Sequence, residues 1–344
     1  MFMKSLAYIF VFLCLAGQIA VNAFDNPIDV VYLWVDGNDT EWQKIKNECE
    51  VTYQELGKRP DANASNRYSD HDELKYSLRS VLKYAPFVNH IYIVTMNQKP
   101  KWLLEHPKIT IIDHKDIFLN QEHLPTFNSM AIESNLHRIP NLSEHFIYFN
   151  DDMFFGNLVT PSDFFTETGK IKVLFEKDEW LPEGPPHEKD ITYWAACKNT
   201  NNLLNQCFNY EKRRLICHAP YALIKSYMKK TAQYFSEAFT LTSSHKFRCF
   251  QDYAITNGLL QCHWEHDGKV KKGKLTNMML HFYADDKIQN TLKHLKRIES
   301  SQPHTFCLQD KMFGNGEKTM KILHNFFENW YPEPAPWETQ LPLK

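Results

Sequence analysis

The chain has 344 residues, with 39 Lys plus Arg against 41 Asp plus Glu. This length allows a large core or one domain with a substantial insertion. The near balance of charge argues against a nucleic-acid binder or a polybasic membrane surface, so charge-dependent chemistry must come from local arrangement.

Residues 1–23 are predicted to be a signal peptide. Lys4 precedes an apolar stretch from about Leu6 to Ala20, and small residues surround a cleavage point after Ala23. An uncleaved membrane anchor is the alternative, because this stretch is strongly apolar although short for a membrane span. Beyond that anchor the sequence predicts no contact with a membrane.

Seven cysteines follow the predicted signal peptide, and six of them lie from Cys197 onward. In the oxidising lumen that a signal peptide implies, cysteines are expected to form disulfides, and an odd number leaves at least one thiol free or paired between chains. None forms a C-x-x-C pair, so the sequence disfavours a zinc site. Asn38, Asn63 and Asn141 each begin an N-x-[ST] triplet, as secreted glycoproteins do.

Apolar, β-branched runs bounded by polar turns predict four buried strands, at 28–35, 90–95, 109–112 and 145–149. Apolar periodicity predicts a helix between Ser69 and Pro86, with Asp70 and Glu73 as a capping box. It predicts a second helix over Ser129–Arg138. The alternation of strands and helices indicates an α/β fold with a mostly parallel sheet flanked by helices.

The second half of the chain is less regular in pattern. Residues 160–215 are predicted to be a loop-rich insertion that crosses the site, because they combine a proline-rich run with an asparagine-rich one. A helical segment is predicted from Pro220 to about Phe239, and another over Glu317–Trp330. Residues 24–338 are expected to form one catalytic domain, followed by a tail at 339–344.

Polar side chains directly follow three of the predicted strands. Ligands of parallel sheets bind beyond the carboxyl ends of the strands, which singles out Asp36, Asn97 and the cluster Asn150, Asp151 and Asp152. Carboxylate oxygens there suit a hard divalent cation, which would offset the charge of a diphosphate. A polar loop or a helix cap is the alternative for this cluster.

Four further residues have weaker claims when each is taken alone. Glu133 lies on a predicted amphipathic helix, and His218 stands before the rigid Pro220 and offers an acid or a base. Arg248 is a planar donor suited to phosphate, and Asp310 follows a short apolar run. Most residues of these types in proteins are structural or solvated.

Several common catalytic motifs are absent from the sequence. It contains no G-x-x-x-x-G-K-[ST], G-x-G-x-x-G, H-E-x-x-H or G-x-S-x-G motif. This argues against P-loop nucleotide hydrolysis, Rossmann redox chemistry, zinc proteolysis and α/β-hydrolase acyl transfer.

Four blocks of the sequence together resemble the Stealth family of sugar-phosphate transferases. They start with "IDVVYLWVDGND" at Ile28 and continue over 67–156, 218–248 and 306–338. The second block includes "LPTFNSMAIESNLHRIPNLSEHFIYFNDDMFFG", and its length makes coincidence remote. One departure is "VTMNQ", where Met96 and Asn97 stand in place of the Asn-Gly of an Asn-Gly-Gln triplet common in the family.

The resemblance implies a fold like that of nucleotide-sugar transferases and the transfer of a hexose 1-phosphate. The implied donor is UDP-N-acetylglucosamine, the acceptor is a hydroxyl of a glycan or glycoprotein, and UMP is released. The implied catalytic residues are Glu133, Asp152, His218 and Arg248. Asp36, Arg67, Asn97 and Asn150 are expected to bind substrate, and Asp151, Asp152 and Asp310 to hold Mg²⁺ or Mn²⁺.

Several alternatives remain open at this point. His218 or Glu133 would take the acceptor proton, and a phosphohistidine intermediate at His218 is also compatible. A metal-dependent glycosyltransferase that releases UDP and a catalytically silent glycan-binding protein are competing functions. The supply of nucleotide sugars predicts the Golgi or endoplasmic reticulum lumen, with secretion as an alternative. Asn38 is predicted to be unmodified, with glycans at Asn63 or Asn141, and homo-oligomer formation is left open.

Overall fold

The computed structural model describes residues 24–52, 60–273, 279–312 and 316–339. The predicted signal peptide and residues 340–344 of the predicted tail lie outside these ranges. The strands are β1 (Ile28–Leu33), β2 (Val88–Thr95), β3 (Ile109–Asp113), β4 (His145–Asn150), β5 (Met153–Phe155), β6 (Ile171–Val173), β7 (Phe175–Trp180), β8 (Arg214–Ile216), β9 (Tyr221–Ile224), β10 (Val270–Lys272), β11 (Met279–Asp285) and β12 (Thr305–Lys311).

The helices flank these strands along the whole chain. They are α1 (Thr40–Thr52), α2 (Glu73–Tyr84), α3 (His114–Ile117), α4 (Ser129–Glu133), α5 (Pro161–Phe164), α6 (Thr192–Phe208), α7 (Lys225–Tyr234), α8 (Ser236–Ser244), α9 (Leu260–His266), α10 (Ile288–Ser301) and α11 (Glu317–Trp330). Within the described ranges, none of them combines the length and the apolar character that crossing a membrane requires.

The main sheet has five strands in the order β3-β2-β1-β4-β9. The first four are parallel and only β9 runs antiparallel to its neighbour. Its central strand β1 is buried along its whole length, as its Val, Ile, Tyr and Leu side chains require of a strand covered on both faces. The buried Asp29 of this strand accepts from Asn89 and from the Ser143 amide. The predicted α/β class with a mostly parallel sheet is confirmed.

A smaller sheet extends the molecule beside the carboxyl ends of the main sheet. It has the order β11-β12-β5, with β11 parallel and β5 antiparallel to β12. Because β5 begins at Met153, directly after Asp152, the two sheets meet at the predicted acidic cluster. A second apolar cluster, which includes Phe154, Phe306 and Phe327, packs α10 and α11 against this sheet.

Three of the predicted elements differ from the structure. Residues 192–208 form the helix α6, although their asparagines are poor helix formers. Asn199 donates to the Phe250 and Asp252 carbonyls, and Asn202 donates to the Gly184 carbonyl. Tertiary hydrogen bonds of this kind offset weak propensity, and so the prediction of an irregular 160–215 segment was wrong in this part.

The predicted helix from Pro220 begins instead with strand β9, whose four apolar residues extend the main sheet along β4. The predicted helix over Ser129–Arg138 ends at Glu133 and is followed by a 3₁₀ turn at Leu136–Arg138. At α2 the expected capping box is absent, because Asp72 occupies the N-cap and Glu73 accepts from the His71 backbone amide.

The expected disulfides are also absent from the described residues. All seven cysteines after Cys14 are free, and four of them are buried: Cys197, Cys217, Cys262 and Cys307. Several of these thiols have polar partners of their own, Glu176 for Cys217 and Asp152 for Cys307. The disulfide prediction was therefore wrong, and the four buried thiols lie in the core as small apolar side chains do.

Candidate active site

The carboxyl ends of the central strands meet at one edge of the main sheet. Leu33, the last residue of β1, lies opposite Val94 of β2 and Asn150 of β4. The segments that follow these three strands therefore emerge side by side. They carry Asp36, Asn97 and the Asn150–Asp152 cluster, so the predicted placement of these residues at one edge is confirmed.

Asp36 is fixed by the buried side chain of Gln98. The Asp36 amide donates to the Gln98 Oε1 atom at 3.2 Å, and Gln98 Nε2 donates back to the Asp36 carbonyl at 2.9 Å. The Asp36 carboxylate accepts from the Asn38 amide. Gln98 is the retained third residue of the family triplet, and sequence analysis did not single it out.

Asn97 adopts the left-handed conformation, with a φ of 52°. Among residues other than glycine, asparagine is one of the few that enter this region readily. Asn97 thus supplies the backbone geometry of the family's glycine, while its side chain is exposed to solvent. The departure at "VTMNQ" leaves the turn between β2 and Gln98 intact.

Replacing Gln98 with Ala is expected to lower the free energy of unfolding by about 1–3 kcal/mol, because two backbone groups of Asp36 lose their partners. Urea unfolding followed by circular dichroism measures this change. The matched control is Gln289→Ala on the exposed face of α10, which should stay within about 0.5 kcal/mol. Equal stability of the two variants would contradict the anchoring role of Gln98.

Asp152, His218 and Cys307 form a compact group of donor atoms. One ligand atom from each lies within 4.8 Å of the other two. The register of β5 against β12 places Cys307 opposite Met153, and the Leu308 amide donates to the Asp152 carbonyl at 3.0 Å. Sequence spacing could not reveal this group, because its members come from three distant segments.

Two polar atoms of this group have no hydrogen-bond partner among the described residues. They are Oδ1 of Asp152 and Nε2 of His218, and both are buried. The other ring nitrogen of His218 lies 3.2 Å from the Tyr221 hydroxyl, which fixes the orientation of the imidazole. Buried donor atoms that converge without partners are the arrangement expected of a cation site, so the residues present fit a divalent cation.

Burial shapes the protonation of this group. It raises the pKa of Asp152 to about 6, against a hydrogen bond from the Cys307 thiol that lowers it. Burial, followed by the neighbouring His281 and Arg248, lowers the pKa of His218 to about 3. The imidazole is therefore neutral at neutral pH, as a metal ligand or a nucleophile must be.

The other two predicted metal ligands lie near this group but are not part of it. The Asp310 carboxylate is engaged by His71 at 3.1 Å and by the Met312 amide. Burial raises the pKa of Asp151 well above its ordinary value, and the nearby charges of Asp152 and Asp70 add to this effect. Neither Asp151 nor Asp310 belongs to the group around His218, and their role as ligands stays a prediction.

Glu133 lies at the end of α4 with 8% of its surface exposed. Its carboxylate accepts from the Thr256 hydroxyl at 2.6 Å and from Tyr148 at 3.2 Å. Tyr148 also lies 2.7 Å from Oδ1 of Asn150, and so it links Glu133 to the end of β4. Burial raises the pKa of Glu133, although Thr256, Arg248 and Tyr148 each lower it.

Arg248 joins the separate parts of the site. Its charge lowers the pKa of Glu133, of His218 and of Arg67, so all three face it. Burial, followed by Arg248, lowers the pKa of Arg67 to about 9. Arg67 is held by the Asp61 carbonyl at 2.6 Å, and Arg248 donates to the Ser129 hydroxyl at 2.9 Å. A bound anion would stabilise two neighbouring guanidinium groups, because it offsets their like charges and accepts hydrogen bonds from both.

The structure thus brings Glu133, Asp152, His218 and Arg248 into one neighbourhood, with Asn150 and Arg67 at its border. The partners that hold them were not found from the sequence: Tyr148, Tyr221, Thr256, Cys307 and Gln98. Thr256 and Tyr148 lie in ordinary apolar segments, and no motif marks them. Cys307 stands three residues before the predicted ligand Asp310, and this proximity is a signal in the sequence.

The predicted glycosylation sites differ in their surroundings. Asn38 is exposed beside Asp36, and Asn141 is exposed before β4. The Asn63 side chain donates to Glu50 at 2.7 Å, which occupies the nitrogen that a glycan would use. Glycans at Asn63 or Asn141 and a place in the Golgi or endoplasmic reticulum lumen stay predictions.

Models of the four conserved regions of Stealth proteins match the chain in order. Conserved region 1 matches residues 26–50, region 2 matches 67–173, region 3 matches 217–259 and region 4 matches 296–343. The site residues that lie in these regions include Glu133, Asp152, His218, Arg248 and Cys307. The helix α6 and its flanking strands β7 and β8 lie entirely between regions 2 and 3.

Curated relatives match over nearly the whole chain. An exopolysaccharide phosphotransferase of Streptomyces coelicolor is 37% identical over 328 residues, which cover 93% of this chain and 59% of that protein. The capsular polysaccharide phosphotransferase LcbA of Neisseria meningitidis is 34% identical over 325 residues, covering 91% of this chain and 87% of that protein. The chain spans 59%, 52% and 53% of the length of three exopolysaccharide phosphotransferases of Streptomyces coelicolor.

Among solved structures, the chain is similar to the galactosyltransferase LgtC in complex with donor and acceptor sugar analogs. The two share 9% sequence identity with a TM-score of 0.42, over 92% of this chain and 98% of that one.

Proposed function

The chain belongs to the Stealth family, and on this basis we propose that it transfers a sugar 1-phosphate from a nucleotide-diphosphate sugar to a hydroxyl of a polysaccharide. Relatives named exopolysaccharide and capsular polysaccharide phosphotransferases support this reaction class. The observation that carries the proposal is the placement of the neighbouring Arg67 and Arg248 beside a buried carboxylate and a buried imidazole. The proposed donor is UDP-N-acetylglucosamine.

In the proposed reaction an acceptor hydroxyl oxygen attacks the phosphorus that bears the sugar. A new phosphorus–oxygen bond forms to the acceptor, and the bond to the nucleoside monophosphate breaks. The products are a phosphodiester and UMP, while the hydroxyl proton passes to a base on the protein. Reactions of this kind depend chiefly on positioning and on stabilisation of charge.

The two guanidinium groups are the part of the site suited to the diphosphate. Arg248 lies close enough to Arg67 to lower the pKa of the Arg67 guanidinium, and Asp61 offsets only part of this charge. A bound diphosphate would supply the missing negative charge and accept from both groups. Preorganised donors aimed at the transferring phosphoryl group stabilise the charge that spreads over its oxygens.

Glu133 is the proposed base for the acceptor hydroxyl. Its burial raises its pKa toward the operating range, which makes it a better proton acceptor than an ordinary glutamate. Asn150 and Tyr148 would position the carboxylate at the end of β4. His218 is a poorer base at neutral pH because its pKa is lowered to about 3, while nucleophilic attack by its free Nε2 is the competing route.

A divalent cation is a further part of the proposal. Asp152 and His218 would hold it, since each has a buried donor atom without a partner among the described residues. When bound, such an ion offsets the negative charge of a diphosphate. The protein's contribution is to hold these two donors in a fixed orientation through Tyr221 and β5.

The nucleotide product distinguishes the proposed reaction from its alternatives. The purified chain is incubated with UDP-N-acetylglucosamine labelled in the β-phosphate, a divalent cation and a panel of bacterial and eukaryotic polysaccharides. Release of UMP with the label in the polysaccharide supports the proposal. Release of UDP with an unphosphorylated glycoside identifies a glycosyltransferase, and donor binding without any turnover on the panel identifies a glycan-binding protein; either result overturns it.

A further inference from the structure

We infer that the cation of this site is a thiophilic ion of the Zn²⁺ class, held by the Cys307 thiolate together with Asp152 and His218. The sequence pattern disfavours zinc and predicts an oxygen-liganded Mg²⁺ or Mn²⁺ site. Those expectations rested on the spacing of cysteines and on the Asn150–Asp152 cluster. The three-dimensional donor set is different, because it combines one sulfur, one nitrogen and one oxygen atom.

The geometry of the three side chains is that of a preassembled site. Their ligand atoms lie within 4.8 Å of one another, a separation that a single ion at the centre can bridge. Cys307 is fully buried, and Asp152 and His218 are each partly exposed as residues, although the ligand atoms that they turn toward the group are buried. Cys307 is held by strand pairing on both sides, opposite Met153 of β5 and His281 of β11.

The buried atoms without partners lie in this group. Nε2 of His218 and Oδ1 of Asp152 are both shielded from water and unpaired among the described residues. The Tyr221 hydroxyl contacts Nδ1 of His218 and leaves Nε2 to face the group. An outer partner of this kind is what orients a metal-binding imidazole.

The chemistry of the donors selects the ion. Mg²⁺ takes an octahedral shell of oxygen atoms and is poorly served by sulfur and nitrogen. Zn²⁺ accepts sulfur, nitrogen and oxygen in a tetrahedral shell, and three protein ligands leave its fourth position open, as catalytic zinc sites do. The open position would take an oxygen atom of the donor's diphosphate.

Binding must displace the thiol proton. The Cys307 thiol donates its hydrogen to Asp152. When the ion binds, the sulfur–hydrogen bond breaks, the proton leaves to the buffer and the thiolate bonds to the ion. Asp152 is freed from the thiol in the same step and becomes a ligand.

This arrangement also assigns a role to His218. With Nε2 bound to the ion, His218 is neither the base nor a phosphorylated nucleophile, and Glu133 remains as the base. The role of the ion in catalysis rests on the proposed function, but binding is measured without donor or acceptor. Failure of the transfer reaction and failure of the metal site are therefore separate results.

The test uses the full chain, stripped of metal with a chelator and then loaded with Co²⁺, which reports its ligands in its absorption spectrum. We expect one equivalent of Co²⁺ to give an intense tetrahedral visible band and a near-ultraviolet band from thiolate-to-cobalt charge transfer. Competition with Zn²⁺ should displace the cobalt, and a large excess of Mg²⁺ should not. In Cys307→Ser the charge-transfer band should vanish. The affinity for Zn²⁺ should also fall more than about 100-fold, which exceeds the effect of removing a residue that only hydrogen-bonds to a metal ligand.

The matched control is Cys262→Ser, which alters another buried thiol whose charged neighbours, Arg213 and Glu265, lie outside this site. It should keep both bands and the affinity for Zn²⁺. If Cys307→Ser does not fold, as judged by circular dichroism, His218→Gln tests the same group, and loss of the tetrahedral spectrum there supports the inference. A wild-type protein without the charge-transfer band, or equal displacement of Co²⁺ by Mg²⁺ and Zn²⁺, overturns it.

Discussion

Replacing Glu133 with Gln is expected to lower kcat by about 10²–10⁴-fold, the range contributed by a positioned general base. The amide keeps the shape of the side chain and its hydrogen bond from Thr256, but it cannot take the proton of the acceptor hydroxyl. Donor binding should change little, because the diphosphate contacts are assigned to the two arginines. Rates of UMP release at saturating donor and acceptor measure the effect.

The control for this variant is Glu299→Gln, which alters an exposed glutamate of α10. It should leave kcat unchanged. A Glu133→Gln enzyme with near wild-type kcat would remove Glu133 as the base and return the role to His218. A loss of donor affinity without a loss of kcat would likewise contradict the assignment.

The pH profile provides an independent check on Glu133. As a base it must be ionised, so kcat/KM should fall as the pH drops through its pKa, which burial raises above that of an ordinary glutamate. Asp152 also has a raised pKa, of about 6, so an acidic limb alone does not identify the base. Thr256→Val removes a hydrogen bond that lowers the pKa of Glu133, and the limb should therefore move to higher pH. An unmoved limb would mean that another group controls it.

The parts of the site that lie at strand ends could be predicted from the sequence. Apolar runs mark β1, β2 and β4, and parallel strands bring Asp36, Asn97 and Asn150 to one edge. This inference needs only local pattern and the geometry common to parallel sheets. The resemblance to the family then selected Glu133, His218 and Arg248, whose individual patterns are ordinary.

What sequence could not provide is the environment that gives these residues their properties. Burial raises the pKa of Glu133, and the opposing hydrogen bond that lowers it comes from Thr256, which is 123 positions away in the chain. The cation group depends on the register of β5 against β12, which sets Cys307 beside Asp152. Such long-range pairings are decided by the packing of the whole domain, and no local window of sequence contains them.

The same limit explains the errors in the second half of the chain. The "YALI" segment reads equally as a short buried strand or as the start of a helix, and only the free edge of β4 decides between them. In α6 the asparagines read as a loop because their propensity is weak, whereas their side chains bind carbonyls of distant segments. The number of cysteines led to the wrong prediction of disulfides, because a count contains no information about the distances between the cysteines.

Arg248→Lys and Arg248→Gln together separate the geometry of the guanidinium from its charge. Removal of one preorganised donor to a developing charge typically costs about 10²–10³-fold in rate, and we expect a loss of this size in kcat/KM for Arg248→Lys. A lysine keeps the positive charge but cannot make two parallel hydrogen bonds to a phosphoryl group. The exposed Arg297→Lys of α10 serves as the control and should retain full activity.

The charge itself has a second effect, which acts on Glu133. Arg248 lowers the pKa of that carboxyl, so Arg248→Gln should raise it and shift the acidic limb of kcat/KM to higher pH, while Arg248→Lys should leave the limb near its wild-type position. Because both variants lose the bidentate contact, a difference in pH profile between them isolates the electrostatic link between phosphate site and base. If the pH profiles of the two variants coincide, the charge of Arg248 does not act on Glu133. The proposal that the phosphate-binding arginine and the base belong to one site would then be wrong.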